Sequence, residues 1–512
     1  MDVTLSLATL AFAVISVSWI RAYIRRRNAL PLPPGPKGLP IVGNMFDLGD
    51  DLVHVKHRDW SREFDSDIIS VTVLGQTSII LNSAEAIADL LDKRGSNYSD
   101  RPDMVMINDL MGWDWSFSLM RYGQRWRDYR KVFQHYFNIT AEHRPIQLAV
   151  AEDLLQRLHR DPTRIAHHLK HYTAAVIIKR VYGYEIQAEN DPYVKLVDEA
   201  SQSTSLANLQ GAFVVEFLPS LKHIPEWFPG AGFKRQAKEW RKLARAIIEV
   251  PFALVKKELS RVQSEGKAKP CYVTSVLEQN NATPDEAVDE DLIRGTAAVS
   301  YAAGADTSVS GLTSLILALL LHPEHQRAIQ EELDTVLGSA ERLPNFEDKD
   351  EMPYLNACLK ESLRWIPILP LGVHHRSLVN DIYKGYFIPG GTPVLANGWA
   401  VLHNDAVFPE PEKYNPRRFL ENPNLPDPID NGVFGFGRRA CAGRPMALDT
   451  IWIAIASILT VFDIKKAKDA NGHEITPEVK FKPGALIHVE DFPCDIVPRS
   501  PQHLALLQQG NN

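Results

Sequence analysis

The chain has 512 residues, of which 45% are hydrophobic and 23% are charged, as in an ordinary globular protein. Its net charge of -7 excludes bulk electrostatic attraction to nucleic acid. The four cysteines include no C-x-x-C pair, which argues against a structural zinc site and against a disulfide framework.

The N-terminus carries an uncharged apolar stretch from Val3 to Ile20, which at 18 residues is just long enough to cross a bilayer as a helix. Four arginines follow it: Arg21, Arg25, Arg26 and Arg27. Positive charge stays on the cytoplasmic side of a membrane, so we expect the following chain in the cytosol. A cleaved signal peptide is the alternative, but its positive charge would precede the apolar stretch. Residues 1–27 therefore predict a membrane anchor.

Residues 28–40 contain the sequence LPLPPGP. Proline fixes φ and removes a hydrogen-bond donor, so this stretch cannot be helical and predicts a stiff spacer between the anchor and the membrane-facing domain. No Gly/Ser-rich linker, repeat or charge block follows it. We expect one large domain over residues 41–500 and a tail over residues 501–512.

Helical patterns dominate this domain, and its β-like runs are short. Those runs are Ile68–Val73, Ser78–Leu81, Tyr386–Ile388 and Pro393–Ala396. The longest helical pattern begins near Asp289 and ends at Leu321, where His322 and Pro323 stop it. At 1.5 Å per residue this helix would be roughly 50 Å long and could cross the whole domain. The sequence predicts a mostly α fold with a small β subdomain.

The middle of the long helix is a run of small and polar residues, AGADTS, from Ala303 to Ser308. Gly304 weakens the helix, and the hydroxyl groups of Thr307 and Ser308 can bond to a carbonyl one turn back. Such a site can widen to hold O2 and water. The alternative is a close contact between two helices.

One cysteine stands among glycines in FGFGRRACAG, residues 434–443, which we call the cysteine loop; an apolar helical run from Met446 to Ile458 follows it. Glycine lets the backbone approach a bound group closely. Backbone N–H groups at a helix start favour a thiolate, which can ligate a metal. Phe434 can shield the sulfur, and Arg439 can pair with an anionic group of a cofactor. A buried free cysteine beside a glycine turn is the alternative.

The cysteine loop, with its pattern F-x-x-G-x-R-x-C-x-G, resembles the heme loop of the cytochrome P-450 superfamily. The resemblance implies the P-450 fold and a heme b whose iron has Cys441 as its axial ligand. It extends over about residues 30–500, and the segments Arg94–Ser99, Leu110–Trp113 and Phe228–Ala231 look like those of fungal, particularly basidiomycete, members. Such members are similar to microsomal enzymes that oxidise polyketides, indoles and terpenoids in secondary metabolism.

Three further residues resemble the structural triad of the family. Glu361 and Arg364 match its E-x-x-R helix, and Arg418 matches its third member. The resemblance implies that this triad pins the cysteine loop. Arg417 stands where the family usually has an acid, which puts a local ion pair in doubt.

By the same resemblance, four side chains would donate to the two heme propionates. Trp126 and Arg130 lie four residues apart on one predicted helix and match the family's W-x-x-x-R pair. His375 matches another donor, with its neighbours His374 and Arg376 as competitors for that role. The fourth donor would be Arg439 of the cysteine loop. With the sulfur ligand and its shield, the expected cofactor-binding residues are Trp126, Arg130, His375, Phe434, Arg439 and Cys441.

The run from Ala303 to Ser308 matches the family's A-G-x-D-T-T groove, which places O2 on this side of the heme. A thiolate opposite O2 favours O–O cleavage. The expected catalytic residues are Asp306, which would bring protons in, and Thr307, which would hold the donating water.

The chain has no flavin or nicotinamide motif, so NADPH would act through a separate flavoprotein reductase. Basic groups near the cysteine loop could bind that partner: Arg127, Lys131, Arg438 and Arg444.

The substrate pocket is expected from residue positions in the resemblance. Its members would be Trp113, Trp115, Phe117, Val299, Ala303, Ile368, Val373 and Leu486. This lining is apolar and indicates a small apolar substrate, although each residue could equally be ordinary core.

The resemblance predicts a reductase-dependent monooxygenase in the endoplasmic reticulum membrane, single-pass, with its catalytic domain in the cytosol. A heme-thiolate isomerase or a peroxide-driven enzyme is one alternative, which the pair Asp306 and Thr307 argues against because typical examples lose it. A non-enzymatic membrane heme carrier or sensor is the other; it would need the cysteine loop but no substrate pocket.

Overall fold

The computed structural model describes residues 30–48, 52–138, 140–209, 211–262 and 269–509, so the predicted anchor at residues 1–27 lies outside the described residues. The α-helices, in chain order, are α1 Val53–Glu63, α2 Ala84–Ile87, α3 Gly95–Tyr98, α4 Gln124–Phe137, α5 Thr140–Arg160, α6 Ile165–Tyr182, α7 Pro192–Ala207, α8 Gly232–Val262, α9 Tyr272–Ala282, α10 Glu290–Leu321, α11 Pro323–Leu337, α12 Pro353–Trp365, α13 Gly398–Leu402, α14 Arg417–Glu421, α15 Arg444–Val461 and α16 Pro501–Gln509. The strands are β1 Ile68–Val73, β2 Gln76–Leu81, β3 His375–Arg376, β4 Asp381–Tyr383, β5 Tyr386–Ile388, β6 Pro393–Ala396, β7 Phe462–Lys466, β8 Phe481–Lys482, β9 His488–Val489 and β10 Cys494–Pro498.

The small β subdomain is a sheet with the strand order β1-β2-β6-β3. Strands β1 and β2 form an antiparallel hairpin, β6 lies parallel to β2, and β3 is antiparallel to β6. The hairpin turns at Leu74 and Gly75, whose φ angles of 50° and 84° suit the right-handed twist of the strands. All four predicted β-like runs are strands, and the second begins two residues earlier than predicted, at Gln76.

The proline-rich segment is non-helical in its described part, as predicted. Ser70 of β1 donates its backbone N–H to the carbonyl of Pro34 (2.8 Å) and its hydroxyl to the carbonyl of Pro33 (2.6 Å). Phe387 of β5 donates its N–H to the carbonyl of Pro31 (2.8 Å). The segment is therefore fastened along the β subdomain.

Helix α10, the central helix, lies at the middle of the helical layer. Its predicted limits are confirmed, because the Asp289 side chain caps its first turn and the helix ends at Leu321. Helices α4, α6, α7, α8, α12 and α15 all pack against it. By length and composition the central helix and α15 could cross a membrane, but 72% and 78% of their most apolar windows are buried inside the domain. Their apolar character is accordingly that of core helices.

The segment expected as a tail, residues 501–512, contains helix α16. Leu506 and Leu507 of this helix are buried. The amide of Gln156 on α5 donates to the carbonyl of Leu507 (2.7 Å). Helix α16 therefore packs on the domain.

Candidate active site

The cysteine loop is a tight turn that ends where α15 begins. The Cys441 N–H donates to the carbonyl of Phe434 across the turn (2.8 Å). Gly435 and Gly437 have φ angles of 75° and 56°, which glycine adopts most easily. A Cβ at Gly437 would lie 2.2 Å from the carbonyl oxygen of Leu91, so a side chain there would force the loop away from its neighbours. The glycines thus fix where Cys441 lies.

Cys441 differs from the other cysteines in its exposure. It is exposed, whereas Cys271, Cys358 and Cys494 are buried. Protein atoms nevertheless surround its sulfur, and a cavity of about 530 Å³ borders it, with Arg130 and Phe434 in the lining. A reachable sulfur in the wall of a cavity is the arrangement that a thiolate ligand needs.

The ionisation of Cys441 depends on opposing influences. Burial raises the pKa of its thiol, while the N–H groups of Gly443 and Arg444 and the charge of Arg130 lower it. A cation at the sulfur would add the stabilisation that the thiolate lacks, since metal binding deprotonates a coordinating thiol. The N–H groups of the loop and the charge of Arg130 thus favour the thiolate in part, and a bound metal would complete its deprotonation.

Three arginines near the loop bond to carbonyl oxygens only. Arg439 donates to Ser99 and Met120 (both 2.8 Å), Arg130 to Ala440 (2.8 Å), and Arg101 to Val373 and His374 (2.6 and 2.9 Å). None of the three forms a salt bridge within the part of the chain that the structure describes. Burial lowers the pKa of all three guanidinium groups, that of Arg439 to about 10. Asp100 attracts Arg101 and Arg439 but forms its ion pair with Arg121, so this cluster keeps an excess of positive charge. An anion would stabilise such a cluster, and heme b carries two carboxylates.

The two remaining predicted propionate donors, Trp126 and His375, belong to the same cluster. The Arg439 guanidinium lies 4.4 Å from the centre of the Trp126 ring. His375 is buried, and its Nδ1 lies 2.7 Å from the carbonyl oxygen of Tyr98, so Nδ1 carries the proton. Burial holds the pKa of His375 well below its usual range, which leaves Nε2 as an acceptor. Donation from Nε2 requires the imidazolium, which a carboxylate beside it would stabilise.

Arg101 is the residue of this cluster that the sequence did not reveal. It is 4% exposed. Burial and then the charge of Arg439 lower the pKa of Arg101, and burial and then the charge of Arg101 lower the pKa of His375. In the sequence it is a single arginine before Pro102, without a spacing that marks it. With the thiol of Cys441 exposed, and with Arg130, Arg439 and Arg101 clustered near the cysteine loop, the residues present fit a heme.

The run from Ala303 to Ser308 faces open space at one residue and a neighbouring helix at another. Ala303 is exposed although the central helix is mostly buried, so open space faces this turn. The Thr307 hydroxyl donates to the Ala303 carbonyl (2.7 Å), as predicted for a bond one turn back. Gly304, by contrast, contacts a neighbouring helix, because a Cβ there would lie 3.0 Å from the Ile177 side chain of α6. The groove and the close helix contact therefore occur at different residues of the same run.

Asp306 pairs with a histidine that the sequence did not single out. Nε2 of His488, in β9, lies 3.3 Å from a carboxylate oxygen of Asp306. Their side chains are 27% and 14% exposed, so the pair lies between the surface and the interior. Nothing in the spacing of the two residues indicates this contact.

Most of the predicted pocket residues are buried. Trp113 and Trp115 stack with their ring centres 4.9 Å apart, and neither indole N–H has a hydrogen-bond partner among the described residues. Phe117 packs on Phe133 of α4 (5.5 Å). Val299 and Ile368 are buried, Val373 and Leu486 are half-buried, and Ala303 is exposed. The predicted pocket residues that are at least partly exposed, Ala303, Val373 and Leu486, are all apolar.

The predicted triad forms in the core. Arg364 makes a two-point contact with the Glu361 carboxylate (2.7 and 2.9 Å), and Arg418 adds a third bond (3.1 Å). Glu361 and Arg364 are fully buried. Arg364 also donates to the carbonyl of Leu402 (2.9 Å), and Leu402 packs against Gly432, just before the cysteine loop. The triad is thus connected to the loop through α13.

Replacing Glu361 with alanine should give little heme-loaded protein. Removing one partner of a buried ion pair leaves the other charge uncompensated, at about 3–5 kcal/mol of stability. Yield and heme-to-protein ratio of purified Glu361→Ala would be compared with those of Glu421→Ala, which alters an exposed glutamate. A folded, heme-replete Glu361→Ala protein would contradict a structural role.

An exposed cysteine in a glycine loop, arginines beside that loop that bond only to carbonyl oxygens, and an aspartate next to a threonine on the central helix fit the site of a heme-thiolate enzyme. The family model described as Cytochrome P450 matches residues 33–487. The chain belongs to the cytochrome P450 family.

Relatives among curated proteins carry monooxygenase names. A cytochrome P450 monooxygenase of Armillaria gallica is 55% identical, over 99% of both chains. Cytochrome P450 monooxygenase 98 of Postia placenta is 40% identical over 95% of this chain and 94% of its own. The tryptamine 4-monooxygenase of Psilocybe cyanescens is 39% identical over 94% of this chain and 96% of its own. The chain is a heme-thiolate monooxygenase of a basidiomycete type.

Proposed function

We propose that this enzyme hydroxylates or otherwise oxidises a small apolar molecule with electrons that NADPH supplies through a separate flavoprotein reductase. For a hydroxylation, R–H, O2, NADPH and one proton give R–OH, water and NADP⁺. The pair Asp306 and Thr307, one helical turn after the exposed Ala303, is the observation that supports this reaction most strongly.

In this proposal Cys441 ligates the heme iron, and the bound heme supplies oxygen activation. Arg439 and Trp126 hold the propionates together with Arg130 and His375, for which the unpaired buried arginines are the support. Phe434 covers the sulfur side, since it lines the cavity next to Cys441.

Proton delivery falls to Asp306 and Thr307. The Thr307 hydroxyl donates to the Ala303 carbonyl, so its oxygen lone pairs are free to accept from a water in the open space. Asp306 is less exposed than its partner His488 and can pass protons from outside to that water.

The substrate class follows from the pocket. The expected lining, which includes the stacked rings of Trp113 and Trp115 and the side chains of Phe117, Val373 and Leu486, is apolar. Because one relative is named for tryptamine, an indole, indoles join terpenoids and polyketides of fungal secondary metabolism as the compounds to test.

Screening such compounds for a spectral shift of the ferric heme would find ligands, and reductase-driven assays would find substrates. The proposal requires NADPH consumption that depends on both reductase and an apolar compound, with an oxygenated product. Product formed without NADPH would favour the isomerase or peroxide-driven alternative. Heme binding with no turnover on any compound would favour a carrier or sensor.

We expect residues 1–27 to anchor the enzyme in the endoplasmic reticulum membrane with the domain in the cytosol. Deleting them should release much of the protein from membranes with heme bound. Trp227 and Phe228, which are 78% and 47% exposed, would retain a remainder at the lipid surface. The share of the truncated enzyme that stays with membranes, with and without Trp227→Ser, measures how much attachment comes from residues 1–27 and how much from the exposed aromatic residues. Protection of the full-length domain from protease in intact microsomes would reverse the proposed orientation.

The reductase would bind at the surface beside the cysteine loop. Arg127 and Lys131 are exposed on α4, and Arg438 lies within 3.3 Å of the Tyr122 hydroxyl. Arg444 contributes less charge there, because it pairs with Asp430 (2.6 Å). Arg127 and Lys131 of α4 therefore contribute the most positive charge that this surface offers to a partner.

A further inference from the structure

We propose that His488 is a positioning residue for Asp306 and the inner member of a proton supply that continues through Asp198 to Lys170. This inference rests on the proposed monooxygenase reaction, because it concerns how protons reach Asp306. The four groups come from four different elements: Lys170 from α6, Asp198 from α7, His488 from β9 and Asp306 from the central helix.

The strand that carries His488 is fixed along the central helix. The Ser310 hydroxyl donates to the carbonyl of Ile487 (2.5 Å), one helical turn beyond Asp306. The adjacent residue, His488, then meets the Asp306 carboxylate at 3.3 Å. Two contacts one turn apart, made by two consecutive strand residues, set both the register and the direction of the imidazole.

Helix α7 carries a second carboxylate, that of Asp198, near the pair of His488 and Asp306. Ser205 accepts a hydrogen bond from the N–H of Leu486 (3.3 Å), and Asp198 lies two turns earlier on the same face of α7. Burial raises the pKa of Asp198, Lys170 lowers it through a direct ion pair, and Asp306 raises it while His488 lowers it. Asp198 thus lies close enough to both members of the inner pair to interact with them.

The order of the groups follows their burial. Side-chain exposure falls from 42% at Lys170 to 33% at Asp198, 27% at His488 and 14% at Asp306. The charges alternate along this series, from a lysine at the surface to a carboxylate next to Thr307. An isolated surface ion pair would not show such a gradient from solvent toward the open space.

A histidine suits the inner position chemically. An imidazole accepts a proton at one ring nitrogen and releases one from the other, which an amide cannot do. Each turnover that reduces O2 to one water and one hydroxyl group consumes protons from solvent. The proposed step moves one proton from water at the surface to the Asp306 carboxylate and leaves every covalent bond between heavy atoms unchanged.

His488→Gln separates proton supply from placement, because glutamine keeps a donor that can reach Asp306. We expect unchanged heme content and unchanged substrate affinity from the spectral shift. Product formation should fall about 10-fold, less than the 10²–10⁴-fold of a direct general acid. The solvent deuterium isotope effect on product formation should rise, and NADPH consumption should slow together with product formation, as expected for Asp306→Asn. Asp198→Asn should change the same quantities in the same direction by a smaller factor.

The matched control is His473→Gln, which alters another histidine paired with an aspartate, 3.5 Å apart and 81% exposed, outside the proposed supply. It should match the wild type in every measurement. Equal rates of NADPH consumption and product formation and an equal isotope effect for His488→Gln and the wild type would overturn the inference while leaving the monooxygenase function intact.

The contact itself has a test that needs no turnover. In protein with ¹³C-labelled histidine, the signal missing from His488→Gln is that of His488. Asp306→Asn and Asp198→Asn should each move that signal and leave the His473 signal in place. A His488 signal that ignores both substitutions would show that the groups do not interact, and the inference would fail. A wild type that forms no product with any compound would instead count against the proposed function.

Discussion

Cys441→Ala should remove the long-wavelength absorption of the reduced carbon monoxide complex and abolish monooxygenation. The reason is positional as well as chemical, since the other cysteines are buried and cannot replace it. Burial opposes the thiolate in the free protein, so the sulfur and the metal stabilise each other. Absorption spectra of the reduced carbon monoxide complex would be compared with those of Cys494→Ala, which removes a buried thiol from β10.

Cys441→His gives a second measurement. A histidine at this position would move the absorption to the shorter wavelength typical of histidine-ligated heme, if the loop accommodates the ring. An unchanged thiolate-type spectrum in Cys441→Ala would disprove the ligand assignment. Unchanged spectra in Cys494→Ala are expected, because that side chain contributes only to packing.

The parts of the fold with local patterns were predictable. The limits of the central helix follow from an acidic cap and the His322-Pro323 stop, both of which act within one turn. Glu361 and Arg364 lie three residues apart on α12, so their contact is a property of the helix itself. The cysteine loop depends on the conformations of its own glycines. In each case neighbouring residues in the chain determine the geometry.

The remaining features depend on distant segments that only the tertiary fold brings together. Arg101 lies close enough to His375 and Arg439 for their charges to interact, and no spacing connects these three residues in the sequence. His488 meets Asp306 because Ser310 holds the strand against the central helix. These contacts form only when the folded core buries and aligns the distant segments, and a pattern of neighbouring residues carries no information about that alignment. Resemblance to a family supplied the propionate donors but not these partners.

Thr307→Ala should separate NADPH consumption from product formation. The hydroxyl lies on the exposed side of the central helix and bonds to the Ala303 carbonyl, so it can hold a water there but does not support the core. Heme content and substrate affinity should therefore match the wild type. Thr307→Ser, which retains the hydroxyl, should keep much of the coupling, and Ser308→Ala, which alters the buried neighbour, should leave it unchanged.

The size of the effect follows from proton delivery. A positioned general acid contributes about 10²–10⁴-fold to a rate, so without an ordered water the protons needed for O–O cleavage arrive without geometric control. Oxygen that has received two electrons and two protons then leaves as hydrogen peroxide, with NADPH spent and the substrate unchanged. NADPH, O2, peroxide and product would be measured on one preparation, and peroxide should account for most of the NADPH in Thr307→Ala. Asp306→Asn should instead slow NADPH consumption itself, because it interrupts the proton supply upstream of the water. Equal product per NADPH in Thr307→Ala and the wild type would contradict the acid–alcohol assignment and favour a reaction that needs no protonation of oxygen.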